Sequence, residues 1–398
     1  MRILLLVHTF NSLAQRLFVE LAQDGHELSV EFDIHDRVTC EAVNLFRPEL
    51  VLAPFLKRAI PPSIWQRHLC LIVHPGPPGD RGPSALDWAI LRGAQHWGVT
   101  VLQAEAALDS GPIWGSALFP MRSARKSSLY RNEVTEGAVA AVRTALARIA
   151  AGAGPLRESG GGNEQGWRPL LRQSQRAIDW AHDDTAAILR KIHSADGFPG
   201  VEDELFGKRF RLFDAHQEPC LRGPPGAVIT RHHDTICRAT IDGAIWIGQL
   251  QPVGPQCSFK RPARLALGNL ADSLSLYDEG SSAGGACTAE EIRYEEVGAV
   301  GYLHFDFYNG ALSAAQCERL RAAYAGACRR PTRVIVLMGG ADFWCNGMHL
   351  HCIEAAGSPA DASWENINRI DDLACDILQT DTHLTMAAMQ GNLSLIHI

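Results

Sequence analysis

Residues 2–7 read RILLLV, five apolar side chains in an unbroken run. A run of this length with no polar alternation is too short for a buried helix and suits a strand covered on both faces. Similar runs return at ELVLAPF (49–55), CLIV (70–73) and GVTVLQA (98–104), and HELSVEF (26–32) reads as a further strand. Helical stripes separate them. Leu13, Leu17, Phe18 and Leu21 share one face, closed by Gly25 where a C-cap belongs. EAVNLF and SIWQRH read as helical, and another helix begins at Ser84, with Ser84 and Asp87 spaced as a capping box. Strand and helix in alternation predict an α/β fold with a doubly wound parallel sheet over residues 1–151.

The pattern then changes twice. GAGPLRESGGGNEQG lies within 152–166, a glycine-rich stretch without periodicity that reads as a linker. Residues 167–270 open with a helix (DDTAAILRKIHSA) and continue as short strand-like runs with turns, which predicts a small β-rich, OB-like domain. A second linker covers 271–291, and an α/β pattern restarts over 292–392 with VGAVGYLHFDF, SAAQCERLRAAYAGA and TRVIVLMGG.

With 46% apolar and 20% charged residues, the 398-residue chain has enough apolar surface for several cores. A net charge of -7 with scattered cations argues against a nucleic-acid partner. No stretch of about 20 apolar residues suggests a membrane span, and the N-terminal run is too short for a signal peptide. Eleven cysteines without a CxxC pair read as reduced thiols in a cytoplasmic protein.

His74 closes the apolar run CLIV and precedes a turn stiffened by Pro75, Pro77 and Pro78. Asp109 follows the fifth strand in AALDSG. In a doubly wound sheet both stand at carboxyl ends of strands, where ligands bind. Histidine moves protons near neutral pH, and a carboxylate beside it orients the ring. On pattern alone, a core histidine and a turn aspartate fit equally well. His232 and His233 read as solvated residues of a hairpin turn. Cys345, His349, His351 and Cys352 crowd together, but their spacing matches no common zinc pattern, and on a strand the two histidines would face opposite ways, so no metal site is expected.

The stretches IVHPG, DRGPSALDWAI and GVTVLQAEAALDSG together resemble the signature of the 10-formyltetrahydrofolate-dependent formyltransferases. PFLKRAIPPSIW resembles that family's folate-side loop, and AIDWAHDDTAAILRKIHSADGFPGV the start of its second domain. The resemblance covers about residues 1–267. It implies catalytic roles for His74 and Asp109, a folate-cradling loop at Phe55, Leu56, Lys57 and Arg58, and oxyanion support from backbone amides of the Pro75–Gly79 turn. Arg81 reads as an anion-binding group or a structural ion pair, and Gln103 as facing either the site or the sheet. One departure stands out: the family's asparagine, two residues before the histidine, is Ile72 here. Losing an oxyanion donor of that kind costs roughly 3–4 kcal/mol. A thiol acceptor, once ionised, tolerates the loss better than an amine does.

MGGADFWCNGMHL (338–350) and HLTMAAMQGN (383–392) resemble the opening of a crotonase (enoyl-CoA hydratase/isomerase) module, incomplete here. That resemblance makes the amide of Asn346 or Gly347 an oxyanion donor for a coenzyme A thioester, with His349 where the family usually has Asp. The two modules in tandem resemble the hydrogenase maturation factors. This implies 10-formyltetrahydrofolate and coenzyme A as substrates, formyl transfer to CoA as a first step towards carbon monoxide for [NiFe]-hydrogenase, and the maturation proteins of that hydrogenase as partners. The implied outcome for this chain is formyl-CoA without carbon monoxide. Rival expectations are an amine-directed formyltransferase, acting on a sugar nucleotide or aminoacyl-tRNA, and a non-catalytic folate- or CoA-binding scaffold. The last six residues, LSLIHI, equal one reading frame of a transposase end used in sequencing libraries, and 393–398 are expected to be a non-native tail. Resequencing the locus checks this: an uninterrupted gene encoding those six residues and a stop codon would contradict it.

Overall fold

The computed structural model describes residues 1–156, 166–254, 259–277 and 290–393. The core of the linker expected at 152–166 (157–165), most of the second linker (278–289) and 394–398 of the expected tail lie outside the described residues. By contacts the chain forms two units: Met1–Arg176 with His193–Gly197, and Ala177–Ile192 with Phe198 onward.

The first unit is built on a six-stranded sheet. In chain order it comprises β1 (Arg2–Val7), α1 (Ser12–Gln23), β2 (Glu27–Phe32), α2 (Asp36–Phe46), β3 (Leu50–Phe55), α3 (Pro62–Trp65), β4 (Cys70–His74), α4 (Ala85–Leu91), β5 (His96–Gln103) and β6 (Ile113–Pro120). Then come α5 (Lys126–Leu129), a π-helical turn, α6 (Thr135–Ala150) and α7 (Gln173–Arg176). The strands lie in the order β2-β1-β3-β4-β5-β6. Successive residues of β1 supply two cores: Ile3, Leu5 and Val7 face α1 and α6, while Leu4 and Leu6 pack with Val43 and Ile64 of α2 and α3. That two-sided burial is what the apolar runs require.

The sheet departs from the expected all-parallel arrangement. β1 to β4 are parallel, but β5 runs antiparallel to β4, and β6, which the apolar runs do not reveal, antiparallel to β5. An apolar run reports burial and is blind to strand direction. Between β5 and β6 there are only nine residues and no helix, too little for a parallel crossover.

The expected capping box at α4 does not form. Ser84 makes no side-chain cap bond; its hydroxyl accepts from the amide of Leu171 at 3.1 Å. Asp87 pairs with Arg176 and with Lys126. Residues 167–176 thus strap onto the loop before α4 and onto α4 itself. The amide of Arg168 donates to the carbonyl of Arg81 at 2.9 Å, and the Trp88 indole donates to the carbonyl of Pro169 at 2.9 Å. Gly82 (φ +111°) permits the close approach, since a Cβ there would stand 2.0 Å from the carbonyl oxygen of Arg168.

The second unit holds the expected β-rich region. α8 (Thr185–Ala195) leads into it, and β7 (Val201–Leu205), β8 (Lys208–Glu218), β9 (Val228–His232), β10 (Thr235–Ala239) and β11 (Ala244–Pro252) form an antiparallel sheet in the order β7-β8-β11-β10-β9. β12 (Arg261–Pro262) pairs with β11, and α9 (Ala263–Leu267) follows. His232 is not solvated as expected: it is buried, its ring edge-on to Trp246 and Tyr277, while His233 is exposed in the turn. A further sheet, β13-β14-β16-β19, contains the hairpin of β13 (Ile292–Val297) and β14 (Val300–Phe305). After it come β15 (Ala311–Leu312), α10 (Ala314–Ala327), β16 (Val334–Gly339), β17 (Phe343–Cys345), β18 (Gly347–Met348), α11 (Leu350–Glu354), α12 (Pro359–Gln379), β19 (Leu384–Ala387) and β20 (Asn392–Leu393). β14, β16 and β19 run parallel, with α10 and α12 packed on them around Leu320, Tyr324 and Leu373.

Ahead of β13, Glu291 accepts from Gln316 at 2.7 Å and pairs with Arg319, which also reaches Asp234 at 3.1 Å. Burial pushes the Glu291 carboxyl up to about 7, against the pull of Arg319. A carboxyl raised in the folded state keeps a proton that the unfolded chain gives up, so its contribution to stability falls as pH rises from about 4.5 to about 7. Glu291→Gln should therefore gain stability relative to the parent across that window, as read by urea unfolding at several pH values; a difference independent of pH would contradict this.

Candidate active site

His74 is the last residue of β4, on the same face of the strand as Cys70 and Ile72. Its ring is 4% exposed and stands between two carboxylates. Nε2 bonds Asp80 Oδ2 at 3.0 Å, and Nδ1 faces Asp109 Oδ2 at 3.7 Å. Asp80 has no exposure, and its other oxygen is 3.1 Å from Arg168 Nη1. Asp109 is 17% exposed, and its Oδ2 also accepts from the amide of Gly82 at 3.0 Å.

The antiparallel β5 changes how Asp109 gets there. Gln103 pairs with Leu71, three residues back along β4 from His74, so loop 104–112 must turn back towards the histidine. Asp109 sits within it in the left-handed region, at φ +52°. The turn after His74 is stiffened by more than its prolines. Trp97 Nε1 donates to the carbonyl of Pro75, and Thr100 Oγ1 to that of Gly76, each at 2.8 Å, so two side chains of β5 hold it. Gly76 is needed for contact: a Cβ there would lie 2.5 Å from Asp80 Oδ2 and 2.6 Å from His74 Nε2.

The remaining expected residues fall around this centre or elsewhere. Ile72 is half-buried against Leu4, Leu6, Val51 and Ala104, an apolar neighbour where the formyltransferases have an amide. Phe55 ends β3, and its ring meets His8 edge-on; Leu56 is half-buried and Lys57 exposed. Arg58 clamps the loop after β2, donating to the carbonyls of Asp33 and Ile34 and, at 2.6 Å, to Asp36. Arg81 is exposed and bonds the strap through its carbonyl. Gln103 faces along the sheet, its Oε1 accepting from Trp114 at 3.1 Å, which decides between its two expected orientations. Sequence reasoning missed Asp80 and Arg168. The DRG of the motif carried the first in plain sight, but nothing local marks Arg168, which is 88 positions further along the chain.

In the second unit, the amide of Asn346 is already donated to the carbonyl of Gly310 at 2.7 Å, and that of Gly347 faces the Cys345 sulfur at 3.2 Å. Asn346 borders a cavity of about 190 Å³, lined also by Gln249, Lys260, Tyr308 and His349. His349 and His351 are not on a strand as expected. His349 caps α11 by accepting from the Cys352 amide, and burial holds its imidazole down to about 4; His351 meets the carbonyl of Lys260 at 3.1 Å.

A histidine flanked by carboxylates at the end of β4, with an antiparallel β-rich region following, defines a class. The family model for formyl transferases matches residues 7–145, and that for the formyl transferase C-terminal domain matches 170–259. This chain is a formyltransferase, with both domains of that class in succession. It is 54% identical over 98% of its length to the hydrogenase maturation factor HoxX of Bradyrhizobium diazoefficiens, spanning 68% of that protein. A crystal structure of a multiply substituted variant of HypX from Aquifex aeolicus superposes with a TM-score of 0.93 at 46% identity over 98% of this chain and 72% of its own. Another, of HypX in complex with tetrahydrofolic acid, gives 0.92 at 45% identity over 98% and 69%. Methionyl-tRNA formyltransferase of Dechloromonas aromatica is 27% identical over 48% of the chain and 62% of its own length. The chain belongs to the HoxX/HypX family of hydrogenase maturation factors.

Removing one partner of a buried charged set leaves the others uncompensated, at roughly 3–5 kcal/mol. Asp80→Ala should lose about that much in urea unfolding, and Asp80→Asn, which keeps an acceptor for His74, should lose less. Equal and small losses in both variants would mean that Asp80 does not hold His74 and Arg168 together.

Proposed function

We propose that this chain moves a formyl group from 10-formyltetrahydrofolate to the thiol of coenzyme A, the first half of a carbon monoxide synthesis that serves the iron of [NiFe]-hydrogenase. The observation that carries the reading is the imidazole of His74 opening, through Nδ1, onto Asp109. Asp80 occupies Nε2, so the proton moved in the reaction is the one at Nδ1. The CoA sulfur bonds to the formyl carbon, the bond from that carbon to the folate nitrogen breaks, and the His74–Asp109 pair returns a proton to that nitrogen. Phe55 to Arg58 border the pterin, and amides of the Pro75–Gly79 turn take part of the oxyanion charge that the missing asparagine would have carried.

The tetrahydrofolate complex of the Aquifex aeolicus relative supports folate as the donor class. Ile72 favours a thiol over an amine, because an ionised thiol is the stronger nucleophile at a site short of one oxyanion donor. The β-rich sheet is read as OB-like, and residues 292–392 as the opening of a crotonase-like module, with formyl-CoA and no carbon monoxide as the outcome for this chain and the amide of Asn346 or Gly347 as the candidate oxyanion donor; both amides are donated within the protein, to Gly310 and to the Cys345 sulfur. The chain's partners are then the maturation proteins of that hydrogenase.

Incubation with 10-formyltetrahydrofolate and CoA, followed by mass spectrometry, should yield formyl-CoA, and His74→Ala should lower the rate by at least about 100-fold. Formylation of an amine acceptor in preference to CoA, or folate binding with no transfer in either protein, would refute the reading.

A further inference from the structure

A second histidine–carboxylate pair stands on the same edge of the first sheet. β1 ends at Val7, paired with Phe55 of β3 beyond a bulge in β3, and the His8 amide donates to the carbonyl of Phe55 at 2.8 Å. Leu4 of β1 and Cys70 of β4 both pair with Val51 of β3, and four residues further along their own strands come His8 and His74. His8 and His74 therefore stand at one height, two strand spacings or about 10 Å apart along the edge. Alternation places both on one face: Leu4 and Leu6 of β1 and Cys70 and Ile72 of β4 belong to the same core cluster. This is also where the sheet order reverses, between β1 and β3, the place that open α/β sheets use for ligands.

His8 Nδ1 bonds Asp33 Oδ1 at 2.8 Å. The Asp33 side chain is 9% exposed and that of His8 33%, so the carboxylate lies behind the ring while the ring opens outward. Asp33 Oδ2 is buried without a hydrogen-bond partner. A carboxylate kept merely to brace the fold would satisfy both oxygens, and a buried orphan calls for another explanation. Carboxylate, imidazole Nδ1 and outward Nε2 in line is the arrangement that prepares a ring to accept a proton.

We propose that His8, oriented by Asp33, is the base that receives the proton of the acceptor thiol, leaving His74 and Asp109 to serve the departing folate nitrogen. This rests on the formyl-transfer reading above. The S–H proton passes to His8 Nε2, the sulfur forms its bond to the formyl carbon, and His8 later releases the proton to solvent. The charged groups around His8 are Asp33 on the loop after β2, Arg58 on the loop after β3, Asp36 bound to Arg58, and His74 with its two carboxylates across β3.

The test is formyl-CoA formation by the full chain, followed against pH, for the parent, His8→Gln and Asp33→Asn. His8→Gln should lower kcat/KM for CoA about 100-fold below pH ~7, and the deficit should close above pH ~9, where the thiol ionises unaided. Asp33→Asn should show the same trend with a smaller loss, and the KM for 10-formyltetrahydrofolate should stay unchanged in both. A loss equal at every pH, a raised folate KM, or no loss overturns the proposal. A parent that forms no formyl-CoA overturns the formyl-transfer reading along with it, whereas an active parent matched by His8→Gln overturns this proposal alone.

Discussion

The first unit turns on one buried carboxylate. Asp80, with no exposure, fixes Nε2 of His74 on one side and meets Arg168 on the other. Two negative charges beside one imidazole would be costly without a cation, and Arg168 supplies it from a strap far along the chain. With Nε2 committed, the ring can turn only Nδ1 towards Asp109. The orientation of the ring thus follows from a contact on the side of the imidazole away from Asp109. Gly76 belongs to the same constraint, since no side chain fits between the ring and the carboxylate.

Much of the first sheet is legible in the sequence because apolar runs report burial on both faces. β1 to β4 follow directly from RILLLV, HELSVEF, ELVLAPF and CLIV. Direction is not legible: nothing in GVTVLQA says that it runs against CLIV, and IWGSALFP escapes notice because its exposed Leu118 and half-buried residues blur the pattern. Of the hairpin of β13 and β14 only the second strand is read, in VGAVGYLHFDF; β13 escapes because IRYEEV is charged and largely exposed.

The site divides along the same line. His74 and Asp109 emerge from a local motif, and they do meet. Asp80, in the same motif, is easily overlooked because a proline- and glycine-rich turn suggests backbone chemistry. Arg168 and the His8–Asp33 pair depend on contacts between distant segments, which periodicity does not encode. His349 defeats a reading that assumes a strand where the chain starts a helix, and helix capping uses histidine only occasionally.

The strap of residues 167–176 has a bearing on how the chain can be divided. Cut at the glycine-rich stretch around 157–165, an excised amino-terminal fragment would keep the strands, His74 and both its acids. It would nevertheless lose the guanidinium opposite Asp80, the guanidinium of Arg176 opposite Asp87, and the backbone amide that satisfies Ser84. The contacts of the first unit therefore run on to Arg176 and, further along, to His193–Gly197, well beyond the point where the linker in the sequence invites the scissors.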